Sequence, residues 1–164
     1  MTQLPYTLAV VIDTFNSPLL SVALLVVGTG LVFLTSRGHA SALVLSSLLA
    51  RVLGAGLKLL FAVPRLDSAL VEVVGYRFPS QHALVAGAFF SSLCFSALCV
   101  LDSPYTKVLV VGVCLLAIII VAWSRVFLHA HLPIDVIVGS LLGISISFVI
   151  HFLVLRKCYP IWYV

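Results

Sequence analysis

The stretch Ser124-Arg125-Val126-Phe127-Leu128-His129-Ala130-His131-Leu132-Pro133-Ile134-Asp135 sets two histidines, an arginine and a carboxylate within twelve residues of a chain that is only 9% charged. Pro133 is poorly tolerated inside a helix and suits its first position, so a new helix is expected to start near Leu132 or Pro133. Asp135 then lies in the first turn and His131 just outside it. A carboxylate four residues after a histidine, across a helix start, can hold one ring nitrogen and leave the other facing a cavity. A histidine nucleophile or base needs that arrangement, because the acid fixes the tautomer and stabilises the cation that forms. Arg125 offers a planar fork that matches phosphate oxygens. Taken alone, the same residues also fit a helix end that His131 and Asp135 merely cap and neutralise.

The rest of the chain decides where such a cluster can sit. The protein has 164 residues, 63% of them hydrophobic, and a mean hydropathy of +1.29, far above an ordinary soluble domain. It reads as an integral membrane protein. Crossing a hydrocarbon core of roughly 30 Å takes about 20 apolar residues. Five such runs occur, at residues 18–36, 40–63, 82–101, 107–123 and 133–155. The first has no Lys or Arg ahead of it and no small-residue cleavage site behind it, so a retained span is expected, not a signal peptide. Residues 1–17, with Pro5, Tyr6, Asp13 and Asn16, are too short and polar for a span and are expected to form an interfacial segment. The expected fold is all-α, a polytopic membrane helix bundle of about five transmembrane helices, making one domain over residues 1–164 with its motif core at 58–135. Cys94, Cys99, Cys114 and Cys158 show no metal or disulfide spacing. The net charge of +4 forms no basic stripe on a soluble face, which excludes nucleic acid as a partner and points to lipid headgroups and to orientation.

Five spans put the segments before 18, at 64–81 and at 124–132 on one side of the membrane. The loops near 37 and 102–106, with the C-terminus, share the other. Arg37, Lys107, Arg156 and Lys157 lie on that second side outside any chemical cluster, so the positive-inside rule places it in the cytoplasm and the cluster outside. Residues seven apart on a helix differ by only about 20°, which aligns Arg51, Lys58 and Arg65 on one stripe. Arg51, near mid-membrane, calls for an acid within the bundle or a phosphate that reaches far in. Residues 66–78, with Asp67, Glu72 and Arg77, are weakly apolar and read as an amphipathic cap over the site, Asp67 and Glu72 being its solvated face. Pro79 and Ser80 then open the third span, where backbone N–H groups at the membrane surface make a seat for an anion and His82 stands in the first turn. Ala83, Gly87 and Ser91 recur every four residues, as do Gly139 and Gly143, so the third and fifth spans are expected to pack closely. That packing would bring His82 to His131. His39, His129 and His151 fall outside this scheme as interfacial or cytoplasmic-end residues, and Tyr159, Trp162 and Tyr163 as an aromatic belt at the inner surface.

Three segments distant in sequence thus face one side, and together they resemble the type 2 phosphatidic acid phosphatase and vanadium-haloperoxidase superfamily. Its motifs are KX6RP, PSGH and SRX5HX3D. Lys58 to Arg65 fits the first, although Pro64 precedes the arginine and Leu66 stands in the usual place of proline. Pro79-Ser80-Gln81-His82 fits the second with glutamine for glycine, and Ser124-Arg125, His131 and Asp135 fit every fixed position of the third. The resemblance implies that His131 attacks phosphorus to give a phosphohistidine while Asp135 holds its far nitrogen. It further implies that His82 protonates the leaving oxygen and then activates water. Lys58, Arg65, Arg125 and backbone N–H groups near Ser80 and Gln81 would bind the phosphate, with neither metal nor cofactor.

By the same resemblance, the chain is expected to be a lipid phosphatase at the outer leaflet of a bacterial inner membrane. Undecaprenyl pyrophosphate, phosphatidylglycerol phosphate and phosphatidic acid are the candidate substrates, delivered laterally through the bilayer. Two alternatives stand beside it: a transferase that passes the phosphate to another lipid, and a membrane protein that binds phospholipid without catalysis. Gln81 restricts the backbone freedom of a glycine, and altered selectivity is the expected result.

Overall fold

Lipid offers no partner to backbone N–H and C=O groups, so the apolar runs can satisfy them only as helices. The computed structural model describes residues 3–15 and 18–154, and these form six helices and no strand. They are α1 (Gln3–Phe15), α2 (Pro18–Phe33), α3 (Arg37–Phe61), α4 (Gln81–Val100), α5 (Pro104–Phe127) and α6 (Pro133–Val154). Helices α3 to α6 are each long and apolar enough to cross a membrane. Helix α2 is shorter at 16 residues, and α1, with 13, corresponds to the expected N-terminal segment and packs on α5.

Helices α3 and α5 differ from the expected runs at their ends, each for a local reason. Helix α3 begins at Arg37, three residues early, because the Ser36 hydroxyl caps it by accepting the His39 N–H at 3.4 Å. Helix α5 begins at Pro104 behind the cap residue Ser103 and continues to Phe127, so Ser124 and Arg125 belong to its last turn and not to a loop. A cation there suits the negative end of the helix dipole.

Helix α4 is the hub, packed against α6 most extensively and also against α5 and α3. The small-residue spacing is what permits this approach. A methyl at Gly87 would sit 2.7 Å from the Ser140 carbonyl oxygen and one at Gly139 would sit 2.7 Å from that of Ser80; Gly143 lies against Leu84 and Ala88. Ala50, Leu84, Ala88 and Ile146 close the apolar centre.

Residues 62–80 connect α3 to α4 through turns and bends without a helix. Asp67 and Glu72 are exposed, as expected of a cap's outer face. The segment is tied down by Arg77 N–H donating to Val63 O and Leu70 N–H donating to Leu128 O, both at 2.9 Å. At the other end of the bundle, His39 and His151 are buried inside the protein. Their rings lie 5.9 Å apart, and His151 contacts the Ser147 carbonyl at 3.1 Å and the Ser96 hydroxyl at 3.4 Å. The aromatic belt of Tyr159, Trp162 and Tyr163 falls outside the described residues.

Candidate active site

The turn from α5 into α6 is built to present His131. Leu128 N–H returns to Ser124 O, Ala130 and His131 N–H both donate to Arg125 O at 3.1 and 3.2 Å, and His129 takes the left-handed φ of 52° that reverses the chain. Pro133 opens α6 as its first residue. Arg125, His131 and Asp135 emerge 2%, 3% and 1% exposed. Such burial of ionisable groups is costly unless they serve one another.

Arg65 is the organiser. From the cap segment its Nε donates to Gly75 O and its Nη2 to Val74 O, each at 3.1 Å, while Nη1 reaches Ala130 O at 3.2 Å and His131 Nε2 at 3.4 Å. A guanidinium only donates, so His131 Nε2 must accept, and the neutral ring carries its proton on Nδ1. That nitrogen faces Asp135 Oδ2 at 3.6 Å, the side expected of an orienting acid, though longer than a hydrogen bond. The same oxygen accepts Leu132 N–H at 2.8 Å and pairs with Arg77 Nη1 at 3.1 Å. Burial first, then Arg65, Lys58, His82 and Arg125, push His131 far below the ordinary histidine range, to about 2. The ring is held neutral with a lone pair on Nε2.

The remaining candidates gather around this core. Lys58 donates to Tyr76 O at 2.8 Å, which ties the last turn of α3 to the cap. Helix α4 brings in its N-terminus: Ser80 N–H donates to Asp135 O at 3.1 Å, the Ser80 hydroxyl is buried, and His82 lies near enough for its charge to bear on His131. The start of α4, with His82 in its first turn, therefore lies against the start of α6. Ser80's own N–H is spent on α6, so an anion would be met by the first-turn N–H groups behind it. The Gln81 side chain turns away toward α3, its Nε2 donating to Arg51 O at 3.1 Å. Arg77 is the residue that motif reasoning missed. It stood in the cap as one more charge, and the only available signal was its place two residues before Pro79.

A model of the PAP2 superfamily matches residues 39–158. The chain belongs to the PAP2 superfamily. With four helices long and apolar enough to cross a bilayer among its described residues, this PAP2 chain is an integral membrane protein. It superposes on the crystal structure of a transmembrane PAP2-type phosphatidylglycerolphosphate phosphatase from Bacillus subtilis with a TM-score of 0.81 and 23% identity, covering 93% of this chain and 77% of that one. At that identity the likeness is one of fold. No curated protein matches the PAP2 chain significantly.

Proposed function

We propose that this chain is a lipid phosphatase that hydrolyses a terminal phosphate from a membrane lipid through a phosphohistidine on His131. The observation that carries the reading is the Arg65 contact to His131 Nε2, which supports a neutral ring with its lone pair beside a cluster of cations. His131 Nε2 attacks phosphorus as the bond to the lipid oxygen breaks, and His82 gives that oxygen a proton. Water, deprotonated by His82, then displaces His131 and releases inorganic phosphate. Asp135 stabilises the charge that His131 acquires, as its position across Nδ1 suits it to do. Lys58, Arg65 and Arg125, with the Ser80 hydroxyl and the first-turn N–H groups of α4 from Gln81 onward, stabilise the equatorial oxygens, where positioning and electrostatics supply most of the acceleration.

The site is proposed to open on the outer face of a bacterial inner membrane, within a single domain over residues 1–164. The substrate is a lipid phosphate or pyrophosphate. Phosphatidylglycerol phosphate is the first to test, with phosphatidic acid and undecaprenyl pyrophosphate beside it. Purified protein in mixed micelles with each lipid is expected to release phosphate, to be inhibited by vanadate, to ignore EDTA and to fall silent as His131→Ala. Release that EDTA abolishes and vanadate spares would overturn the mechanism. Loss of lipid phosphate without free phosphate would favour the transferase.

A further inference from the structure

Gln81 and Gly54 meet at a point the proposed chemistry does not use. The Gln81 amide lies directly against Gly54 on α3, so close that any Cβ there would collide with Oε1 and crowd Nε2. Its Nε2 donates to the Arg51 carbonyl one turn below, using the second lone pair of an oxygen already available to the helix ladder. Oε1 is buried without a hydrogen-bond partner. A long polar side chain has been packed into a slot that exists only because residue 54 has no side chain.

Place along the helices gives this contact its meaning. Arg51, Gly54 and Lys58 follow the spacing i, i+3, i+7, so they share one face of α3, and Lys58 lies about one turn beyond Gly54. On α4, Gln81 is the residue immediately before His82. The contact therefore joins the element carrying a phosphate-binding cation to the element carrying the proposed proton donor. Covalently these two elements are connected only through the helix-free segment 62–80.

We propose that Gln81 and Gly54 form a positioning seam that sets the separation of Lys58 and His82, Gln81 acting as a positioning residue with Gly54 as its receptor. This rests on the phosphatase reading of the site. A methyl at residue 54 would expel the amide, a flexible side-chain end, at a cost to the fold limited to that contact. It would break the bond to Arg51 O and set the start of α4 loose against α3.

The test is a double-mutant cycle on the full chain in mixed micelles. Gly54→Ala is expected to lower kcat by about ten- to a hundredfold, the penalty of a small misplacement, with KM changed by less than about threefold. Gln81→Met keeps the length and removes the donor, and it should lower kcat similarly. The decisive measurement is Gly54→Ala in a Gln81→Ala background, where no amide remains to expel and kcat should change by less than about twofold. An equal loss in both backgrounds overturns the seam, as does a loss that appears in KM alone. If the wild-type protein releases no phosphate from any lipid, it is the function that fails. Melting temperatures then decide the seam, because each single variant must lower the value and the double variant must lower it no further than either.

Discussion

His131 and His151 are both buried, at 3% and 0% exposure, and both stand at an end of α6. Their surroundings separate them. His151 meets a serine hydroxyl, a carbonyl, Phe95 and the ring of His39. His131 meets a guanidinium and a carboxylate that is itself held by a second guanidinium. The first set satisfies a polar ring inside a bundle and has no formal charge to lend to a reaction. The second concentrates charge that the burial of His131 makes effective, since fields act more strongly where water is excluded. Burial marks both histidines as important to the molecule, and only the charge around them indicates for what.

The sharpest way to break this contrast is to remove each ring. His131→Ala is expected to lower phosphate release by at least about a thousandfold, as loss of a covalent nucleophile does, with melting little changed. His151→Ala should keep release within about threefold and cost about 1–3 kcal/mol of stability through lost packing and hydrogen bonds. Reversed outcomes in kinetics and melting would erase the distinction.

Arg125→Lys tests whether the charge at the His131 end must be a fork or merely positive. A point charge cannot reproduce two parallel hydrogen bonds, and a loss of about a hundredfold in kcat/KM is expected. A loss below threefold would assign Arg125 to structure. Arg77→Ala leaves Asp135 Oδ2 to Leu132 N–H and His131, and a loss of about tenfold or less in kcat is expected, with binding preserved.

The two ends should also differ in titration. His131's pKa is depressed, and in the proposed mechanism the neutral form is the one that attacks, so that form should persist as pH falls through 6.5. Ring NMR should find His131 uncharged at pH 6 in the protein without ligand, and an acid limb near neutrality in kcat/KM belongs to another group. Arg77→Ala removes a cation from the shared carboxylate and should move the His131 titration upward. A His131 that titrates near 6.5 in the wild type would refute this account. The smallest effect is expected at His129, whose φ of 52° a glycine adopts without strain. His129→Gly should raise stability by about 0.5–1 kcal/mol and leave kcat within twofold.

Much of this was legible in the residues themselves. Pro133 marked the start of α6 and the glycine spacing the pairing of α4 with α6, because each is a local rule with few exceptions; Pro79 and Ser80 lie just ahead of α4, which begins at Gln81 with no capping bond from the Ser80 hydroxyl. The limits of α5 were less legible, since a polar Ser124-Arg125 looks like a loop until the helix dipole and the burial of Arg125 are seen to favour it as helix. Arg77 and the Gln81 to Gly54 contact were out of reach. Both depend on how a helix-free segment and two helices come to rest, and spacing along one element carries no record of distance between elements. The burial of His39 and His151 was missed for the same reason, as histidines at span ends look equally at home in the headgroups.

The guanidinium beside His131 has hydrogens to give and no lone pair to offer. The imidazole is consequently sorted at the time the chain folds, its unprotonated nitrogen chosen by Arg65 and not by whatever later reaches the pocket.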